Sequence, residues 1–117
     1  MTPKEFRKYL ERDFGRCIHC GVTGETLVPQ HRSNRGMGSV KSRNRPSNIV
    51  VLCSSFNQEI EQSASAASRA RANGWKLSSY QDSLFEPLWD AVDQSWWLLD
   101  DDYGRVTLLG YEIADGE

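Results

Sequence analysis

His31 is the residue around which chemistry could gather, because residues 27–57 contain no carboxylate at all. The same stretch carries Arg32, Arg35, Lys41, Arg43 and Arg45, then Asn48, Cys53 and Asn57. A neutral imidazole with a pKa near ~6.5 can take a proton from water at neutral pH. Set among cations and amides, it looks built to meet phosphate. Gly36 and Gly38 would let the backbone approach phosphates closely. Each phosphate neutralised by the basic residues would steepen the salt dependence of binding. Just upstream stands Cys17-x-x-Cys20, and Cys53 makes three cysteines. An odd count with this spacing points to metal or redox chemistry rather than structural disulfides.

Local patterns predict the elements that must position these residues. Thr2, Pro3 and Glu5 form a helix start, with Phe6, Tyr9, Leu10 and Phe14 at helical spacing and Gly15 as the stop. Cys17-Ile-His-Cys-Gly21 reads as a tight knuckle in which His19 is structural or solvent-facing. A short strand begins at Thr26 and runs into Pro29-Gln30-His31. Residues 33–47 are mostly Gly, Ser, Asn, Arg and Lys, a long loop of the kind usually retained for function. Ile49 to Leu52 is β-branched and strand-like. Ser54 and Ser55 cap a helix whose apolar face, Phe56, Ile60, Ala64, Ala67 and Ala70, runs to Gly74. An extended piece starts at Trp75, and residues 87–99 predict a β-hairpin turning at Asp93-Gln94, its tryptophans packing rather than binding.

At 117 residues the chain makes one domain, and no apolar run approaches the length of a bilayer span. The first residues lack the apolar core of a signal peptide, so a cytoplasmic location is expected. The net charge of −2 conceals a division: residues 81–117 hold ten acids against one base, Arg105. A phosphate responds to local potential within a Debye length of ~8–10 Å, so an acidic chain does not exclude nucleic acid. The acidic segment reads as a solvated surface, a counterweight to non-specific DNA binding, or a docking face for a basic partner.

A strand ending in His31, a second strand opened by Asn48 and a helix carrying Asn57 resemble the HNH endonucleases, the ββα-metal superfamily. The longer strings Leu-Val-Pro-Gln-His-Arg, Arg-Gly-Met-Gly, Arg-Pro-Ser-Asn, Asn-Gly-Trp-Lys-Leu and Trp-Leu-Leu-Asp-Asp-Asp are similar to small HNH-type proteins of actinobacterial phages. The resemblance implies an α+β fold with a ββα-metal core at about residues 17–74. That core would lie in a nuclease domain of residues 1–80, with an N-terminal helix before it. Residues 81–117 would form an acidic C-terminal β-hairpin and tail packed on it. It implies His31 as general base, Asn48 orienting its ring, and Asn57 with Gln30 holding Mg²⁺ or Mn²⁺. DNA would be the substrate, gripped through Arg32, Arg35, Lys41, Arg43 and Arg45, within a host bacterial cytoplasm.

Two departures from that pattern matter. Gln30 stands where Asp or His is usual and Asn57 where His is frequent, so the implied ion would have no anionic ligand. Cys17, Cys20 and Cys53 match three of the four ligands of a structural zinc, but Phe56 occupies the fourth place, which weighs against a retained zinc. The alternative expectation is therefore a non-catalytic module of the same fold that binds DNA, or a host or phage protein through the acidic segment.

Overall fold

The computed structural model describes residues 1–34 and 43–108. Helix α1 (Pro3–Arg12) opens as its sequence predicts: the Thr2 hydroxyl accepts from the Glu5 backbone N–H at 3.1 Å, and Pro3 lies in the first turn. The helix ends before Gly15, because Phe14 itself takes φ 64°. Phe14 thus leaves the expected apolar face. It lies half-exposed against the guanidinium groups of Arg16 and Arg105, which stand 4.8 and 4.9 Å from its ring centre.

Strands β1 (Leu27–His31) and β2 (Ile49–Cys53) pair antiparallel, with Leu27 opposite Cys53 and His31 opposite Ile49. Every residue of β2 is buried, which accounts for its unbroken apolar run. Helix α2 (Ser54–Gln62) follows at once, and its N-cap is the Cys53 thiol, accepting from the Phe56 N–H at 3.4 Å, rather than Ser54 or Ser55. The single helix expected to residue 73 is two. Ser63 is extended and its hydroxyl accepts from the Ala66 N–H, so it ends α2 and caps α3 (Ala64–Ala72). Gly74 closes α3 at φ 76°, where a Cβ would run into the Pro87 carbonyl.

The second sheet has the order β3 (Leu88–Asp90), β4 (Ser95–Leu99), β5 (Arg105–Thr107), all antiparallel. The Asp93-Gln94 turn is as expected and is shaped by Asp90, whose Oδ1 accepts from the Val92 and Asp93 N–H groups. Strand β5 was not expected. The described chain is an α+β domain with three α-helices and two antiparallel sheets, and no described helix is long and apolar enough to cross a membrane. One core holds Tyr9, Ile18, β2, Phe56, Trp75 and Leu88 together.

The acidic segment turns inward to meet the basic one. Asp101 accepts from Arg45 at 2.6 Å and from the Ser47 N–H at 3.0 Å, and Asp82 pairs with Arg45 at 3.2 Å. Asp90 binds Arg105 at 2.8 Å and Arg16 at 3.3 Å. Burial alone would raise the Asp90 carboxyl, but the Arg105 hydrogen bond, the turn amides and the Arg16 charge hold it below the usual carboxylate range. These acids are the counter-charge of the protein's own arginines.

Arg32 corrects an expectation most sharply. The resemblance makes it a DNA contact, yet it is 1% exposed. Its guanidinium donates to the carbonyls of Gly74, Ser47, Ser83 and Glu86 at 2.8 to 3.1 Å, and to that of Pro87 at 3.5 Å. Burial, with the nearby Arg12 charge, pushes its pKa down to about 9, and the carbonyls keep it protonated at neutral pH. Arg32→Ala would strand these acceptors in the interior. The expected loss is about 3–5 kcal/mol, read from urea denaturation, with Arg32→Lys recovering only part because an ammonium cannot span the same acceptors.

Candidate functional site

Two places gather chemistry-bearing side chains: a cleft at the end of β1 and a cluster of thiols behind the start of α2. The cleft, of about 520 Å³, is lined by Met1, Thr2 and Glu5 from the start of α1, Pro29 and His31 from β1, and Arg43 and Asn44. His31 Nε2 lies 2.7 Å from Asn44 Oδ1. With an amide oxygen as its partner, Nε2 carries the ring proton and Nδ1 of the neutral imidazole keeps a lone pair. Sequence reasoning missed Asn44; an amide directly before Arg45-Pro46 in an acid-free loop was the available signal.

The implied partners of His31 are arranged differently. Strand alternation sets Gln30 with Val28, Val50 and Leu52 on one face, and His31 with Pro29, Ile49 and Val51 on the other. Gln30, Asn48 and Asn57 do not line the cleft. Asn48 is buried and serves the loop instead of the imidazole. Its Oδ1 accepts from the Ser33 N–H, and its Nδ2 donates to the Ser33 and Arg43 carbonyls, at 2.9, 3.0 and 2.7 Å. Asn57 Oδ1 is buried and has no hydrogen-bond partner among the described residues.

The basic residues divide as well. Arg32 is sealed in the interior and Arg45 is held by Asp82 and Asp101, so neither presents a free charge to a phosphate. Arg43 lines the cleft. Arg35 and Lys41 lie outside the described residues.

The thiols converge more closely than the missing fourth ligand suggested. Sγ atoms of Cys17, Cys20 and Cys53 lie within 4.8 Å of one another, with Cys20 and Cys53 3.9 Å apart. Tetrahedral thiolates at about 2.3 Å from an ion sit at nearly this separation. The knuckle is set by the Gly21 N–H donating to the Cys17 carbonyl and the Cys17 N–H to the Val22 carbonyl, each at 2.9 Å, while the Ile18 N–H donates to the Val51 carbonyl and fixes the knuckle to β2. At the fourth ligand's place, Phe56 stacks on His19 with ring centres 3.7 Å apart and planes 10° from parallel. Burial, then the Arg69 charge, holds the His19 pKa below its usual value, so this ring is neutral. Half-buried, it packs as an aromatic ring against Phe56 and the edge of Trp75.

The arrangement can hold a soft divalent ion through three thiolates and can expose an imidazole lone pair beside a guanidinium. Neither Mg²⁺ nor Mn²⁺ finds a carboxylate among the residues implied to bind it. No family profile, curated protein sequence or solved structure matches the chain.

The thiols differ in character. Burial pushes Cys17 up to about 11, whereas Cys20 is exposed and, although burial acts the other way, the Val22 N–H and the two neighbouring thiols bring it below the usual value. In metal-free protein, iodoacetamide is expected to modify Cys20 at least about tenfold faster than Cys17, as read by mass spectrometry of timed samples.

Proposed function

We propose that this chain is a DNA endonuclease of the HNH, ββα-metal type, in which His31 is the general base of phosphodiester hydrolysis. The observation that carries the reading is the His31 cleft: an imidazole at the end of the first strand, its Nε2 held by Asn44 so that Nδ1 keeps its lone pair, with Arg43 on the same cleft. The antiparallel pair β1–β2 followed directly by α2, with the cysteine knuckle against β2, supports the ββα reading of residues 17–74.

In the proposed reaction a water oxygen forms the new bond to phosphorus while its proton passes to His31 Nδ1. The bond from phosphorus to the leaving 3′ oxygen breaks, and that oxygen takes a proton from solvent. Asn44 holds the ring in the tautomer that can accept. Gln30 and Asn57, the amides that the resemblance gives to Mg²⁺ or Mn²⁺, lie outside the His31 cleft, Gln30 on the other face of the strand pair, so they do not fit an ion at the leaving oxygen there.

The thiol cluster is proposed to hold zinc through Cys17, Cys20 and Cys53, with a non-protein fourth donor on the side of exposed Cys20. Purified protein is expected to contain one zinc per chain by elemental analysis, and Cys53→Ser to lose most of it.

A second reading, a non-catalytic module that binds DNA or a phage or host protein, is favoured by the placement of Gln30, Asn48 and Asn57 away from the cleft. Supercoiled plasmid with Mg²⁺ or Mn²⁺ separates the two. The nuclease reading expects nicked or linear product, reduced at least about 100-fold by His31→Ala. A folded wild type that retains DNA but leaves it intact with either ion supports the module.

A further inference from the structure

We propose that Arg43 is the phosphate-gripping side chain of the His31 cleft, holding a DNA backbone phosphate between its guanidinium and the first turn of α1. The proposal rests on the reading of that cleft as a nucleic-acid site, and it is independent of whether the phosphodiester is cut there.

The fates of the neighbouring arginines single it out. Arg32 donates to interior carbonyls and Arg45 is bound by Asp82 and Asp101. Among the described residues Arg43 has no ion pair, and its buried Nε has no hydrogen-bond partner. A guanidinium N–H shielded from water and lacking an acceptor is unfavourable until an anion arrives. The backbone of Arg43 is anchored, since its carbonyl accepts from Asn48 Nδ2 at 2.7 Å, and its side chain shares the cleft with His31 and Asn44.

The opposite wall suits the same ligand. The N-cap Thr2 and Glu5 of α1 line the cleft, so it meets the positive end of a ten-residue helix, where the Thr2 hydroxyl already holds the Glu5 N–H and the dipole alone favours an anion. Among the described residues Glu5 is the one acid in the lining, and its carboxylate contacts the Thr2 hydroxyl at 3.4 Å. It opposes an anion from the same side as the helix end. Arg43 and Glu5 should thus act on phosphate affinity with opposite signs, whereas a cation site would weaken on loss of Glu5.

The test measures binding of the full chain to a short DNA duplex by fluorescence anisotropy across a salt series, without added divalent ion. Thermal melting checks that each variant is folded. Arg43→Ala is expected to weaken binding about tenfold and to reduce the slope of log affinity against log salt by about one. Arg43→Lys should restore the slope but only part of the affinity. Glu5→Gln should tighten binding. An unchanged slope in Arg43→Ala, or weaker binding in Glu5→Gln, overturns the proposal. In parallel, inorganic phosphate should shift the amide resonances of His31 and Asn44 in the wild type but not in Arg43→Ala. Phosphate alone binding as tightly as the duplex would overturn the backbone assignment in favour of a free-anion site. DNA binding with this Arg43 dependence but no cleavage removes the nuclease reading and leaves the proposal standing. Cleavage and binding untouched by Arg43→Ala do the reverse.

Discussion

The guanidinium of Arg32 is the point on which the architecture depends. Its donors reach the 3-10 turn at Pro46–Asn48 through Ser47, the end of α3 through Gly74, and the segment before β3 through Ser83 and Glu86. Those segments are distant in sequence and share no strand pairing. A buried cation is costly unless its donors are satisfied, so each carbonyl must be in place for the others to be tolerated. The neighbouring backbone contributes as well: the Arg32 N–H donates to Asn48 and the Leu77 N–H to the Arg32 carbonyl. The end of β1, and with it the position of His31, is fixed from the interior outward.

Charge separation along the chain becomes charge pairing in the fold. Asp90 sits between Arg16 and Arg105, Asp101 and Asp82 hold Arg45, and the Arg12 guanidinium grips Asp13 at 2.7 Å while donating to the Pro46 and Ile49 carbonyls. The C-terminal acids thereby fasten their own segment to the loop after α1 through Arg16 and to the turn before β2 through Arg45. What they leave unneutralised near His31 is narrower than the composition implied, and Arg43 is the described cation that faces the cleft.

The elements with strong local signals were legible. Thr2-Pro3 fixed the start of α1, the β-branched run fixed β2, and Asp93-Gln94 fixed the β3–β4 turn. Strand β5 was not, although its turn carries a signal: Asp100 Oδ1 accepts from the Asp102 and Gly104 N–H groups and Tyr103 takes φ 63°. The break at Ser63 was hidden because Ile60 before it and Ala64, Ala67 and Ala70 after it keep a helical period. The site was legible in part. His31 and the cysteine triad could be picked from residue type, but which arginines stay free depends on long-range partners such as Gly74 and Asp101. No local pattern encodes those. Asn48 shows the same limit: its type suggested a partner for the imidazole, and tertiary contacts gave it the backbone instead.

That amide of Asn48 ties the carbonyl of Ser33 to the carbonyl of Arg43, clasping the chain where it departs from the strand pair and where it returns. One side chain thus acts as a buckle: replacing Asn48 by alanine would release both carbonyls and the Ser33 N–H together, and the end of β1 that carries His31 would lose its tie to the turn that leads into β2.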